Sequence, residues 1–115
     1  MMGRSASTGA TTTAQISAVS MRESALQRAI IAALEARGCY VVNVVVAGRA
    51  GTPDLLVCHE GRFIALEVKL PKQQPTAIQL VERQRVLRAN GAHAVVKSVE
   101  EAVAMLQAST GTAPP

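Results

Sequence analysis

Apolar positions follow two alternating rhythms along this chain. Four runs rich in β-branched residues have strand length: Cys39 to Val46, Leu55 to His59, Arg62 to Lys69, and Ala92 to Lys97. Between and around them the spacing turns helical. Leu26, Ile30 and Leu34 recur at i+4 steps within a helix predicted from Ser20 to about Arg37, with Gly38 as its stop. Val99, Ala102, Val103 and Leu106 follow the i, i+3, i+4, i+7 pattern of a helix buried on one side. The middle segment, about Thr76 to Ala89, has a less regular stripe, shows Arg83, Arg85 and Arg88 on its polar face, and ends at Asn90-Gly91.

Each predicted helix opens on Ser or Thr with Glu or Gln three residues later: Ser20 with Glu23, Thr76 with Gln79, Ser98 with Glu101. In such a capping box the two side chains reciprocally satisfy free backbone N–H groups. Glu60-Gly61 is a short turn between the second and third strands, which should pair as a hairpin. The third and fourth strands are joined through a helix, which calls for a parallel crossover. The expected fold is therefore α/β, in the order α-β-β-β-α-β-α, with a mixed sheet flanked by helices. One folded domain is expected over 20–107, between flexible tails at 1–19 and 108–115.

The chain has 115 residues, enough for one core. Aromatic residues are 2% of the total, leaving Tyr40 and Phe63 alone to offer a stacking surface, so base stacking is not the expected mode of binding. A net charge of +4 favours a polyanionic partner, and nucleic acid fits better than a membrane because no basic helix with bulky apolar residues is apparent. Two distant cysteines, Cys39 and Cys58, make neither a zinc site nor a disulfide framework, and read as buried thiols of a cytosolic protein. The segment before Ser20 has the pattern of neither a signal peptide nor a membrane span, which makes a cytoplasmic location the expectation.

Candidate chemistry lies where charge interrupts apolar runs. Gly51-Thr52-Pro53-Asp54-Leu55-Leu56 places a carboxylate at the mouth of one strand, and Ala65-Leu66-Glu67-Val68-Lys69 places an acid and a lysine two apart on the next. Desolvating a carboxylate is costly unless it is paired or holds a cation. Strand alternation puts Glu67 and Lys69 on the same side, and hairpin pairing can bring Asp54 beside Glu67. Two carboxylates, the backbone carbonyl of Val68 and waters would suit Mg²⁺ or Mn²⁺, while Lys69 offsets charge at a phosphate. The plain alternative is a turn-capping Asp54 and a Glu67–Lys69 pair on an exposed face.

GTPDLL, ALEVK and PTAIQ together resemble the PD-(D/E)xK nuclease superfamily, and within it the stand-alone VRR-NUC domains of phages and bacteria. The likeness spans about Glu23 to Leu106 and implies a restriction-endonuclease-like core. By resemblance, Asp54 and Glu67 bind the metal, Lys69 is the catalytic lysine, Gln79 matches the Gln after the catalytic strand, and Glu23 with Gln27 matches an ExxxQ pattern on the first helix. Glu23 and Gln79 can equally be the acceptors of their capping boxes, and Glu23 is also a further metal-ligand candidate. Arg49 and Lys72 can meet a DNA phosphate or be solvated surface charges, and Gln27 is a further DNA-contact candidate. His59 and His93 are assigned no chemistry.

The resemblance implies a metal-dependent endodeoxyribonuclease acting on branched DNA, foremost a Holliday junction resolvase. A symmetric junction needs two active sites, so a homodimer is expected. A nuclease for flaps, nicks or duplex would use the same residues. A non-catalytic DNA-binding protein of this fold is the alternative from another class. No base-reading element is apparent, so recognition by shape and phosphate contact is expected.

Overall fold

The chain reverses at Glu60 and Gly61, which both have positive φ (51° and 79°), the backbone a two-residue type I′ hairpin requires. This turn joins β2 (Leu55–His59) to β3 (Arg62–Val68), paired antiparallel from His59 with Arg62 to Leu55 with Leu66. The computed structural model describes residues 13–110. The remaining elements are α1 (Thr13–Glu35), β1 (Tyr40–Asn43), α2 (Ala77–Arg88), β4 (Ala92–Val96) and α3 (Val99–Thr110). The four-stranded sheet has the order β1-β2-β3-β4, with β1 antiparallel to β2 and β4 parallel to β3. The α-β-β-β-α-β-α order and the mixed sheet are as expected.

The core lies on one face of the sheet. Leu55, Val57, Ile64, Leu66, Val68 and Val96 point there and meet Ile30 and Leu34 of α1 and Ala102 and Leu106 of α3. The helical stripes at those positions thus find their partners. α2 lies over the opposite face, against β4, and reaches Glu67 of β3 through Gln79. Tyr40 (70% exposed) and Phe63 (45%) remain open there on the β1–β3 half. Cys58, between them in register, is exposed rather than buried as expected, whereas Cys39 is buried.

Two boundaries differ from expectation. α1 begins at Thr13 and runs through Ser20 without a break, so Ser20 and Glu23 do not cap its start. No Gly or Pro interrupts 13–35, and nothing between Thr13 and Ser20 stops the helix. The tails expected at 1–19 and 108–115 therefore contribute 13–19 and 108–110 to helices, and the rest of each lies outside the described residues. β1 stops at Asn43 instead of Val46, since beyond Asn43 with Leu55 only one further backbone bond forms, from Val44 N–H to the Asp54 carbonyl (2.9 Å). Pro53, which lacks an N–H, cannot extend the ladder on the other side of β2, opposite Val68. Among the described residues no helix is long and apolar enough to cross a membrane.

Candidate active site

One step beyond the last ladder pair, Leu55 with Leu66, the hairpin register sets Asp54 opposite Glu67. β2 gives out here, and its loss leaves the Val68 N–H without a strand carbonyl. The Asp54 carboxylate takes that place, its Oδ2 accepting from Val68 N at 2.7 Å. In a strand the N–H and C=O of one residue face the same neighbour, so the Val68 carbonyl shares this edge. The next N–H, of Lys69, points the other way and donates to the Val96 carbonyl (3.0 Å). Burial pushes the Asp54 carboxyl above its ordinary range. Its bond from Val68 opposes this, the charge of Glu67 adds to it, Lys69 opposes it and Glu23 adds to it.

Glu67 has no solvent exposure. Its Oε1 accepts from Gln79 Nε2 at 3.1 Å, while the other end of the same amide, Gln79 Oε1, accepts from Thr76 N at 2.8 Å. Thr76 Oγ1 in turn accepts from Gln79 N, completing the capping box of α2. The cap and the contact to the acid are therefore not alternatives for Gln79, which provides both. The Ser98 cap holds in one half only: Ser98 Oγ accepts from Glu101 N, but the Glu101 carboxylate accepts from Lys97 N.

The second oxygen of Glu67, Oε2, is buried with no hydrogen-bond partner. A buried carboxylate oxygen left in this state is costly unless a cation or a hydrogen-bond donor meets it. Among the described residues no three His, Cys, Asp or Glu side chains gather as a metal-binding group, and Asp54 and Glu67 are the carboxylates that the register sets side by side. Two carboxylates and a carbonyl fit Mg²⁺ or Mn²⁺, which retain several waters.

The β1–β2 loop that delivers Asp54 is fastened to α2 at two points. Gly51 (φ +75°) packs so closely on the start of α2 that a Cβ would come within 2.8 Å of the Ile78 carbonyl oxygen. Arg49 donates from Nε and Nη2 to the two carboxylate oxygens of Glu82 at 2.8 and 3.2 Å, and Arg85 joins from the same helix. Arg49 is therefore not a free surface charge: it ties the β1–β2 loop to α2, while its side chain stays 57% exposed. The pairing holds the Glu82 carboxyl below its ordinary range, through the hydrogen bond from Arg49 first. Of the three arginines expected on the polar face of this helix, Arg85 is thus engaged in the ion pair with Glu82.

Glu23 and Gln27 lie half-buried one turn apart on α1, and the charge of Glu23 reaches Asp54. Lys72 is exposed, in a groove of about 530 Å³ lined by Val19, Arg22, Leu70, Pro71, Lys72 and Gln73. Arg22 falls within the helix expected from Ser20, but only the packing of α1 beside residues 70–73 makes it a wall of this groove. His93 was missed. It is buried on β4 in register with Ala65, on the Glu67 face, with its Nε2 3.7 Å from Glu67 Oε2. Laying the parallel register onto Ala92 to Val96 would have exposed that proximity.

No protein-family model matches the sequence. A phage protein, "Putative nuclease p44" of Acyrthosiphon pisum secondary endosymbiont phage 1, is 33% identical over 67 residues, covering 57% of this chain and 72% of that protein. A solved structure described as a VRR_NUC domain superposes with a TM-score of 0.64 at 30% identity, over 74% of this chain and 94% of its own.

Proposed function

The chain belongs to the family of VRR-NUC domains, and from that premise we propose that it is a Mg²⁺- or Mn²⁺-dependent endodeoxyribonuclease that cuts branched DNA as a homodimer, a four-way junction foremost. The observation that carries the reading is the Asp54–Glu67 carboxylate pair brought together at the end of the hairpin, the charge of Glu67 felt at Asp54, with Lys69 two residues on. Asp54, Glu67 and the Val68 carbonyl would hold the metal. When bound, such a metal supplies a water of lowered pKa and charge compensation at the scissile phosphate.

The remaining work falls to this chain's own groups. The Lys69 ammonium offsets negative charge developing on the phosphate. Gln79 keeps the Glu67 carboxylate in one rotamer, and the fastened β1–β2 loop does the same for Asp54. Glu23 adds negative charge at the site. Arg22 and Lys72 line a groove whose walls adjoin Glu23 and Lys69 in sequence, a path for the phosphates flanking the cut. Gln27 lies one turn beyond Glu23, within reach of the same strand of DNA. The open apolar sheet face at Tyr40, Val42 and Phe63 is the surface for a second copy, which would supply the second active site that paired cuts need.

Labelled four-way junction, flap, nicked and linear duplex DNA incubated with Mg²⁺ or Mn²⁺, beside the Asp54→Asn variant, tests this. Paired symmetric cuts in the junction, absent in the variant, are expected. Cleavage of another structure alone would replace the substrate, and cleavage surviving both Asp54→Asn and Lys69→Ala would remove the site assignment. Metal-independent DNA binding without any cleavage would mark a binding protein.

A further inference from the structure

We propose that His93 is a positioning residue for Glu67, donating a hydrogen bond from Nε2 to Oε2 and so fixing the carboxylate that faces the metal. The inference rests on the nuclease reading only for the purpose of that positioning; the contact itself is a property of the fold. Glu67 Oε2 and both ring nitrogens of His93 are buried without hydrogen-bond partners. Three orphaned polar atoms in one small volume are unusual, because each carries a desolvation cost that a bond would offset. The Nε2–Oε2 separation of 3.7 Å is too long for a bond and too short to admit a water between the atoms. A small side-chain rotation closes it.

The sheet supplies the alignment. In the parallel β3–β4 pair, His93 lies beside Ala65 and Val95 beside Glu67, so the imidazole is one diagonal step from the acid on the same face. Ala65 is fully buried and small, leaving room for the ring to lie along the strand toward Glu67. With Gln79 holding Oε1 from α2 and His93 meeting Oε2 from β4, the carboxylate is clamped between two donors on different elements. Metal-ligating carboxylates are held by such outer partners, whose loss typically costs about 10–100-fold in metal affinity or activity.

Two measurements test this, neither requiring turnover. In the metal-free wild-type protein, ¹⁵N-edited NMR of histidine should show a protonated, exchange-protected His93 Nε2 whose resonance moves in Glu67→Gln. A proton on Nδ1 alone, or a resonance indifferent to Glu67→Gln, would overturn the contact. Calorimetric titration with Mn²⁺ should then show His93→Leu binding at least about tenfold more weakly than wild type, with His93→Gln, which keeps a donor near Nε2, within about threefold. Equal affinity in His93→Leu would overturn the positioning role, as would equal loss in His93→Gln. Wild type that binds no Mn²⁺ would overturn the metal reading itself, and with it the positioning role, while the NMR result still decides whether the contact exists.

Discussion

Gln79 shows how much one side chain can carry when both ends of its amide are used. Its oxygen caps α2 and its nitrogen holds Glu67, so two variants separate the tasks. Thr76→Ala should cost about 1 kcal/mol of stability with cleavage within about threefold of wild type. Gln79→Ala should cost a similar amount and lower cleavage by about tenfold or more, in the manner of outer-shell losses. Parallel melts and single-turnover rates check this, and equal cleavage in both would reduce Gln79 to a cap. Asp54 makes a second residue-scale prediction. Its carboxyl is raised above the ordinary 3.8 chiefly by burial. Its protonated form therefore contributes stability that is complete below that ordinary value and lost as pH rises through the raised folded one. Asp54→Asn stays neutral and can still accept from Val68. In chelator, the variant should resist urea better than wild type at pH 7, with the difference shrinking on acidification. Parallel stability profiles in the two proteins would contradict this.

Elements here are positioned by contacts that local patterns do not reveal. The Ser20–Glu23 signature is a sound start signal only where something upstream prevents helix, and nothing in 13–19 does. By contrast Thr76 follows Pro75, which sets an extended approach, and there the cap forms in full. β1 loses its last residues because a strand exists only as far as its partner does. The β1–β2 loop is the element that matters most for function, since its hold on α2 sets the height of Asp54. Gly51→Ala would force a side chain into the left-handed region and against the Ile78 carbonyl. Thermal or denaturant unfolding should record a loss of about 1–3 kcal/mol, with cleavage impaired beyond what the unfolded fraction explains. Unchanged stability would show that the loop is not fastened there.

At the scale of the molecule, α1 and α3 cover one face of the sheet while α2 lies over the β3–β4 side of the other. The open row Tyr40, Cys58, Phe63 crosses three adjacent strands in register, and Val42 lies in the next row. If this is the dimer face, Phe63→Glu should shift the protein from dimer to monomer in light scattering. It should also convert paired junction cuts into single, uncoordinated nicks while single-site chemistry on a nicked duplex persists. A variant that remains dimeric and resolves junctions would move the interface elsewhere.

Much of this was legible in the sequence because it is written in local terms. Strand alternation places Glu67 and Lys69 on one side, the Glu60-Gly61 turn sets the register that brings Asp54 opposite Glu67, and helical periodicity names Ile30, Leu34, Ala102 and Leu106 as core. Those rules act over a few residues, where backbone geometry and hydrophobic burial decide the outcome. The rest depended on partners far away in the chain. Arg49 was open between a phosphate contact and a solvated charge, and its pairing with Glu82 across 33 residues emerges only once α2 packs beside the loop. His93 had no chemistry until the β3–β4 crossover laid it beside Ala65, and Arg22 faced nothing until α1 lay along the loop after Lys69. Spacing along the chain tells which face a side chain takes; only packing tells what waits on that face.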